Sequence, residues 1–340
     1  MMPETPRPGI EAIEYWLPPG LVTNEDLARE LDGWDPEKAF RSTGIRERHV
    51  GPEPASVMVT NAAEKLIERH RLDRSSIDLL MLVTQTADCP MPATSCIVQD
   101  KLGLPNGCAA MDVTLGCSGY VYGLWLAKSL LASGACHHVL LCTSEKVGHL
   151  HPKDKATRAL LGEAATATLL SCGDTLATLG EFDLGTDGRG HVDLLVPAGG
   201  SALRRSPETA REIVDESGNV RSLDTLHMDG MKIFSFSVRE APKTIEAALT
   251  KNGLTKDDVA LFVPHQANKM ILETLRSKLK VDPARWHIDL ERTGNTSSCS
   301  IPIALRDRMH ELRPGDKVLL CGFGIGYSWG TTILDWRRST

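Results

Sequence analysis

Short apolar runs in the first half of the chain recur in the second half at nearly constant spacing. The pairs are residues 80–83 and 260–263, residues 111–113 and 288–290, and residues 139–142 and 318–321. Their offsets are 180, 177 and 179 positions. Three near-equal offsets between strand-like runs predict a tandem duplication, so we expect the chain to fold as two similar halves.

Helical patterns lie between these strand-like runs in both halves, for example at residues 92–102 and 269–279. Alternating strands and helices are typical of the α/β class, in which helices pack on a sheet. We expect one half at residues 1–175 and the other at residues 176–340. A segment at about 185–230, rich in Gly, Asp, Arg and Ser, is interpreted as a lid-like insertion.

Composition excludes several classes of protein. A chain of 340 residues with 41% hydrophobic residues can bury a large core, and its net charge of −6 gives no nucleic-acid signature. The nine cysteines show no Cys-x-x-Cys pair, which predicts reduced thiols, no metal site and a cytoplasmic location. Residues 1–20 lack a signal-peptide pattern and no apolar run is long enough to span a bilayer, so we expect no membrane partner.

Cys117 lies in residues 112–120 (DVTLGCSGY), where a β-prone run turns at small residues into an amphipathic helix predicted over residues 120–133. A thiol at a helix N-terminus meets unpaired N–H groups and the positive end of the helix dipole, which favour the thiolate. Free cysteines are also among the most buried residues. The motif alone therefore fits a nucleophile and a structural cysteine equally well.

Two segments of the second half carry further candidate residues, residues 263–268 (VPHQAN) and residues 294–298 (GNTSS). A lone His after a strand is more often a core or capping residue, and a Gly-Asn pair is most often a turn. In a duplicated fold, however, equivalent loops meet near a pseudo-twofold axis. We therefore predict that Cys117, His265 and Asn295 converge between the halves as a catalytic triad.

Six blocks of the sequence, in order, resemble the β-ketoacyl-acyl-carrier-protein synthase III family. They are residues 43–48 (TGIRER), the Cys117 motif, and residues 228–230, 265–268, 294–305 and 322–330. The resemblance spans nearly the whole chain. It implies the thiolase fold, an α/β architecture in which two duplicated halves form a five-layered αβαβα sandwich.

The resemblance also implies a reaction. An acyl thioester would load onto Cys117, and decarboxylation of a malonyl thioester would then give an enolate that attacks the bound acyl group. His265 and Asn295 would donate hydrogen bonds to the enolate oxygen, while the backbone N–H of Cys117 and one from the turn at Gly324 and Ile325 would bind the oxyanion. No cofactor is implied beyond phosphopantetheine-borne substrates, on coenzyme A or an acyl carrier protein.

Substrate contacts are implied by the same resemblance. Met91 is similar to the residue that reaches across a homodimer to gate the partner's acyl pocket, although an ordinary loop or core methionine fits equally well. Trp34 and Arg41 resemble contacts to coenzyme A, and Asn268 is a candidate contact that is better explained as a helix cap. A basic rim for an acidic carrier protein, or simply a solvated helix face, is formed by Lys269, Arg276, Lys278 and Lys280.

The chain departs from the family pattern in several places. Residues 162–166 (GEAAT) stand where a Gly-Asp-Gly-Ala-Gly-like segment is usual, and this segment is expected to support the fold. Trp34 lies farther from Gly44 than in housekeeping enzymes and Arg41 is one position displaced, which favours a donor carried on a protein.

The nucleophile motif itself is unusual. Gly116 precedes Cys117, and Tyr120 and Tyr122 follow it. This combination indicates a specialised branch of the family, with a substrate that the sequence does not identify.

Several rival functions stay open. A related acyltransferase would pass the acyl group from Cys117 to an alcohol or amine, with His265 as base and without decarboxylation. A thiolase would need a second cysteine such as Cys321, but Asn295 stands where thiolases carry Gly-His-Pro. A hydroxymethylglutaryl synthase would need a glutamate base, for which Glu145 and Glu163 are candidates.

Three more distant rivals fit the sequence less well. Type III polyketide synthases share Cys, His and Asn, but the blocks at residues 43–48 and 265–268 match them poorly. A non-catalytic subunit of a heteromeric synthase is disfavoured by the intact triad. A cysteine protease is disfavoured by the duplicated halves.

Overall fold

A computed structural model describes residues 7–216 and 218–339. Residues 1–6, part of the N-terminal segment considered above for a signal peptide, lie outside the described residues, as do residues 217 and 340. The described strands are β1 Gly9–Trp16, β2 Gly20–Thr23, β3 Glu47–Val50, β4 Leu79–Val83, β5 Ala109–Val113, β6 His138–Glu145, β7 Ala164–Ser171, β8 Ala177–Thr186, β9 Leu194–Leu195, β10 Ile213–Val214, β11 Val220–Arg221, β12 His227–Met228, β13 Val259–Pro264, β14 Lys317–Gly324 and β15 Ser328–Trp336.

Helices alternate with these strands in both halves of the chain. The described helices are α1 Asn24–Glu30, α2 Pro36–Thr43, α3 Ala55–His70, α4 Thr94–Lys101, α5 Gly119–Ala132, α6 Lys155–Arg158, α7 Gly230–Lys251, α8 Lys269–Leu279 and α9 Ser300–Arg308.

Nine strands form one sheet in the order β13-β14-β15-β8-β1-β7-β6-β4-β5. From the centre outward, β1-β7-β6-β4 and β8-β15-β14-β13 each make two antiparallel pairings and then a parallel one. The two sets meet where Gly9 and Ile10 of β1 pair with Thr178 and Ala177 of β8. The repeated order confirms the predicted duplication.

One of the three predicted repeats is not a strand. β5 pairs with β4 over five residues on each strand, but its expected counterpart at residues 288–290 forms no ladder. Apart from its ladder with β14, β13 makes an isolated bridge, between Phe262 and Trp286. The side chain of Gln266 donates to the carbonyl of His287 and accepts from the N–H of Asp289, so a side chain replaces the neighbouring strand's backbone groups there.

The layers follow the predicted αβαβα order. Helices α3 and α4 pack on the outer face of the first set of strands, and α7 and α8 cover the second set, while α5 and α9 contact both sets and lie between them. Three apolar clusters match these interfaces, with α5 and α9 in the central one. Burial of these clusters is the main favourable term in folding such a sandwich.

The segment predicted as an insertion at 185–230 begins inside β8, which continues to Thr186. After β8 the chain forms two short antiparallel pairs, β9 with β12 and β10 with β11. In the described ranges, helices with the length and apolar character of a membrane span are absent. No group of three or more His, Cys, Asp or Glu residues in those ranges is arranged to hold a metal.

Arg48 is a buried residue that connects separate segments of the first half by hydrogen bonds. It is 2% exposed, and its guanidinium donates to the carbonyls of Val22 and Ala159 and to the side chain of Asn24. Burial lowers the pKa of Arg48 to about 10. Because three acceptors from separate segments depend on one side chain, Arg48 links β2, α1 and the segment after α6.

Replacing Arg48 by Met should therefore lower the free energy of unfolding by about 3 kcal/mol, since three buried acceptors lose a charged donor. The comparison is urea denaturation of the wild type, Arg48→Met and Arg46→Met. Arg46 belongs to the same motif, but its guanidinium is exposed, over the ring of Phe40. Equal stability losses for the two variants would contradict the role assigned to Arg48.

Candidate active site

Cys117 lies in the turn between β5 and α5, two residues before the first residue of that helix. The turn is tight because its neighbours are small. An added Cβ at Gly119 would overlap the side chain of Val83 in β4. The absence of a side chain at Gly119 thus lets the start of α5 sit against the sheet and places the thiol at the N-terminal end of the helix.

The glycine-rich end of β14 approaches the nucleophile closely. An added Cβ at Gly324 would overlap both Cβ and Sγ of Cys117, and one at Gly322 would crowd the backbone of Ser118. The backbone N–H groups of Ile325 and of Cys117 itself lie near enough to the sulfur to oppose the rise of its pKa. The two N–H groups predicted to form the oxyanion hole are thus both close to the sulfur.

A second set of contacts holds the two turns together. The hydroxyls of Ser118 and Ser328 lie 2.6 Å apart, and Ser328 also donates to the carbonyl of Ile325 at 2.8 Å. These bonds join the turn after β5 to the turn after β14. The relative positions of the two turns, and with them the N–H groups of Cys117 and Ile325, are therefore held by buried hydrogen bonds.

The expectation of a readily formed thiolate is wrong for this structure without substrate. Burial raises the pKa of the Cys117 thiol, and hydrogen bonds from Ser297 and the N–H of Ile325 only partly oppose that rise. The physical reason is desolvation, which disfavours the charged form more than the turn's donors favour it.

His265 follows β13 and is 2% exposed. Its backbone N–H donates to the carbonyl of Cys321 at 2.7 Å, and its Nδ1 lies 2.7 Å from the hydroxyl oxygen of Ser300. The ring meets Phe323 edge-on, with centroids 5.7 Å apart. Burial lowers the pKa of His265 to about 3, so the imidazole is neutral at neutral pH.

Asn295 belongs to the second half but is bound to the first. Its N–H donates to the carbonyl of Leu160 at 2.9 Å, and its carbonyl accepts from the N–H of Gly162 at 3.0 Å. The side-chain oxygen accepts from the N–H of Ser297 at 2.9 Å, and the side-chain nitrogen donates to the carbonyl of Ala267 at 3.2 Å. One of the two amide N–H bonds stays available for a ligand.

The unusual segment at residues 162–166 explains how this attachment is supported. Glu163 accepts from the N–H groups of Gly51 and Val147 and from the ammonium of Lys146, the last at 2.8 Å. Glu163 stands where the resemblance to the family leads one to expect Asp, and its longer side chain pairs with this lysine. Glu163 holds the loop beneath Asn295, and its carboxylate is fully engaged, which removes it as a candidate base.

Cys117, His265 and Asn295 all line one cavity of about 960 Å³. Its apolar wall comes partly from the insertion and includes Leu194, Val196, Leu226, Met228, Ile233 and Phe323. Cys321 is fully buried in β14 and does not line this cavity, and burial raises its pKa to about 12. The second cysteine that a thiolase needs is therefore not in the site.

Two polar residues of the cavity, Ser297 and Glu145, were not assigned to it from the sequence. The Ser297 hydroxyl lies 3.8 Å from Sγ of Cys117, and its buried neighbour Ser298 donates to Glu145 at 3.0 Å. Glu145, at the end of β6, was left open only as a rival base. Burial raises its pKa to about 8. A carboxyl at the end of a strand that contains the apolar run 139–142 was the signal available in the sequence.

The predicted substrate contacts are dispersed. Met91 is 81% exposed, which rules out a core role, and it does not line the cavity of its own chain. Trp34 and Arg41 also lie outside the cavity lining. Asn268 caps α8 by accepting from the N–H of Ile271 at 2.8 Å and also lines the cavity.

The four predicted carrier contacts differ in availability. Arg276 is engaged by Glu273 and by the carbonyl of Val281, and Lys278 donates to the carbonyl of Val238. Lys269 and Lys280 are exposed at opposite ends of α8. Of the four, Lys269 lies next to a cavity residue, Asn268, and α8 packs on α2, the helix of Arg41.

The sequence matches two family models. The 3-oxoacyl-[acyl-carrier-protein] synthase III model matches residues 111–188, and the model of the C-terminal part of the same enzyme matches residues 249–336. The first match contains Cys117, and the second contains His265 and Asn295. Together the two matches contain all three residues of the predicted triad.

Full-length relatives and solved structures agree with these models. A β-ketoacyl-[acyl-carrier-protein] synthase III of Roseiflexus castenholzii is 38% identical over 333 residues, 96% of this chain and 98% of the relative. A crystal structure of a 3-oxoacyl-(acyl-carrier-protein) synthase III is similar with a TM-score of 0.94 and 38% identity, covering 97% and 100% of the two chains. The priming β-ketosynthase of the R1128 polyketide pathway is similar with a TM-score of 0.85 and 28% identity, covering 100% and 99%.

Near-complete coverage at this identity, with Cys117, His265 and Asn295 in one cavity, leads to one assignment: the chain belongs to the 3-oxoacyl-[acyl-carrier-protein] synthase III family of condensing enzymes.

Proposed function

We propose that this chain is a β-ketoacyl-acyl-carrier-protein synthase III-type acyltransferase, which loads an acyl group onto Cys117 and condenses it with a malonyl thioester with loss of carbon dioxide. One observation carries the proposal. The sulfur of Cys117 lies at the glycine-rich end of β14 and shares its cavity with the neutral imidazole of His265 and the amide of Asn295, which donates one of its N–H bonds to Ala267.

The loading step is a thioester exchange. The sulfur of Cys117 attacks the thioester carbonyl, the bond to the donor sulfur breaks, and the thiol proton passes to that leaving sulfur. Negative charge develops on the carbonyl oxygen next to the N–H groups of Cys117 and Ile325. Because the exchange replaces one thioester by another, it is nearly balanced in energy, and the thiol of raised pKa loses its proton as the sulfur attacks.

The condensing step needs hydrogen-bond donors rather than a base. Loss of carbon dioxide from a malonyl thioester leaves its electron pair as an enolate, which forms the new carbon–carbon bond and expels the sulfur of Cys117. The enolate oxygen would be held by the free N–H of Asn295 and by Nε2–H of His265. This tautomer requires the Ser300 hydroxyl, 2.7 Å from Nδ1, to donate to the ring in place of the Ser297 carbonyl, to which it donates at 2.9 Å.

The alternative of simple acyl transfer to an alcohol or amine is disfavoured. It requires His265 to accept a proton, but burial holds the pKa of His265 at about 3. An imidazole of such low basicity is a poor general base near neutral pH. The same ring is well suited to donate a hydrogen bond without becoming charged.

Glu145 contributes by staying uncharged. Its carboxyl lines the cavity and is close enough to Cys117 for the two ionised forms to repel each other. Burial keeps the acid protonated at neutral pH, because its pKa is raised to about 8. A neutral Glu145 does not repel the thiolate that develops on Cys117. Because its carboxyl already carries a proton, we assign it no base role.

The partners we propose are acyl-coenzyme A, an acyl carrier protein and a second copy of this chain. The apolar wall of the cavity suits a phosphopantetheine arm, and Lys269 with Arg41 suits the acidic surface or phosphates of a carrier. The arm belongs to the substrates, so we propose that no separate cofactor is needed. Nine unpaired cysteines favour the reducing cytoplasm as its compartment.

A homodimer is supported by the exposed end of the sheet. β5 is the last strand of the nine, with no partner on its outer side among the described strands. Met111 on β5 is 40% exposed, and Met91 lies on the loop after the adjacent strand β4. Pairing of two β5 strands across a twofold axis would cover this edge and carry Met91 to the other copy's site.

Substitutions in the triad should separate the two steps. Cys117→Ser should give no stable acyl adduct, whereas His265→Ala and Asn295→Ala should load and lose about 10²- to 10³-fold in condensation, the usual effect of removing one oxyanion donor. Intact mass spectrometry measures loading, and carbon dioxide release from labelled malonyl thioester measures condensation. Full condensing activity in Asn295→Ala would remove that residue from the enolate site.

Glu145→Gln should become more stable relative to the wild type as pH rises. The carboxyl binds a proton in the folded protein up to a pKa of about 8, while its ordinary value is 4.5, so folding is progressively disfavoured between those values. Gln cannot ionise, and the stability difference should grow across this window and level off above it.

The measurement is urea denaturation at pH 5, 7 and 8.5. Glu246→Gln, an exposed change on α7, controls for the loss of one carboxyl. A pH-independent difference between Glu145→Gln and the wild type would mean that Glu145 is ionised in the folded protein.

Met111→Arg should convert the proposed dimer to a monomer, because two arginines would face each other where the β5 strands meet. Light scattering coupled to gel filtration gives the mass. Met231→Arg is the matched control, since Met231 is 76% exposed on α7, far along the chain from the sheet edge. A monomeric wild type would contradict the assembly.

A further inference from the structure

Gln85, which follows β4, lies against the nucleophile turn. An added Cβ at Gly116 would overlap the side-chain oxygen of Gln85 and would crowd a methyl group of Ile325. The carboxamide of Gln85 therefore occupies the space left by the missing side chain at Gly116, one residue before Cys117. The unusual glycine and the glutamine form one structural unit.

The carboxamide of Gln85 has no hydrogen-bond partner among the described residues, although its backbone N–H is directed at Glu145. The hydroxyl of Thr114, two residues before Gly116, is likewise unpaired within those residues. Both side chains are exposed in the isolated chain and line the cavity that contains Cys117. Polar groups that border a reaction cavity without protein partners are positioned to bind a ligand.

The segments that line the cavity differ in chemistry. The insertion contributes the apolar side chains of Leu194, Leu226 and Met228 together with Arg205. The loops after β4 and β5 contribute Gln85 and Thr114. Because Gln85 lies against Gly116, one residue before Cys117, an acyl group on Cys117 that extends toward these loops meets hydrogen-bonding groups within its first few carbons.

We infer that Gln85 and Thr114, in the space opened by Gly116, form a polar subsite that selects starter acyl thioesters carrying a hydroxyl or carbonyl group near the thioester over unsubstituted alkyl thioesters. The inference rests on the proposed function, because it names the substrate class of the same site. An alkyl starter would exclude water from the two side chains and leave them unpaired. A hydroxyl or carbonyl on the starter would satisfy them.

The test uses a matched pair of donors, butyryl-coenzyme A and 3-hydroxybutyryl-coenzyme A, with the full-length protein. The rate of adduct formation on Cys117 is followed by intact mass spectrometry, and Cys117→Ala serves as the blank. The wild type should load the hydroxylated donor about tenfold faster or more, the size expected for a hydrogen bond formed in a site shielded from water. Gln85→Leu, which keeps the size of the side chain, should bring the ratio of the two rates close to one.

Gly116→Ala is the second variant. The added methyl group displaces the carboxamide of Gln85 without removing it. The ratio of the 3-hydroxybutyryl loading rate to the butyryl loading rate should therefore fall, as for Gln85→Leu. Thermal melting of each variant shows whether it is folded, and the ratio of two rates on one preparation cancels losses of active protein.

The possible results are distinct. Equal loading of the two donors by the wild type overturns the subsite and leaves the proposed function intact. A preference that neither Gln85→Leu nor Gly116→Ala changes overturns the assignment to these residues. Failure of Cys117 to load either donor, or any acyl thioester in a wider panel, overturns the proposed function and the subsite with it.

Discussion

The close approach of two glycine-rich turns, one from each half, is the constraint on which the site depends. Gly324 leaves no room for a side chain beside Cys117, and Gly322 does the same beside Ser118. This contact is possible because α5 lies between two sets of strands joined at β1 and β8. The sandwich brings the end of β14 against the start of α5, so the fold itself aims the N–H of Ile325 at the nucleophile. Catalytic geometry is here a consequence of layer packing.

Burial then determines which charges the site can hold. The pKa of His265 is lowered to about 3, that of Glu145 is raised to about 8, and that of Cys117 is also raised. Each shift favours the neutral form, and desolvation is the first cause in all three. In their neutral forms these three groups supply neither a strong base nor a cation. The site can stabilise an oxyanion or enolate with fixed N–H donors, which is the demand of a decarboxylative condensation.

The sequence predicted the duplication and the convergence of residues 117, 265 and 295, because these follow from periodic patterns and from equivalent positions in two repeats. The layer order was implied by the resemblance to the family. The prediction failed where a side chain replaced a backbone pattern. The side chain of Gln266 hydrogen-bonds the backbone of His287 and Asp289 in place of a neighbouring strand. No sequence pattern predicts that replacement. The prediction also failed on the pKa of Cys117, since the helix terminus is visible in the sequence but the degree of burial is not. Ser297 and Glu145 were missed for the same reason, because their roles arise from packing between the halves.

The groups that we propose for the reaction and those that we propose to select the acyl group lie on different parts of the molecule. The donors to reacting oxygens come from backbone turns and from loops of the second half, which are held by buried hydrogen bonds such as those of Asn295 to residues 160 and 162. The polar side chains that an acyl group would meet come from loops of the first half, next to the exposed edge strand β5. Loops at an edge tolerate substitution better than turns packed between sheets. A change such as Gly116 with Gln85 can therefore alter which acyl group is accepted without moving the donors, provided that the added polar groups find partners on the substrate.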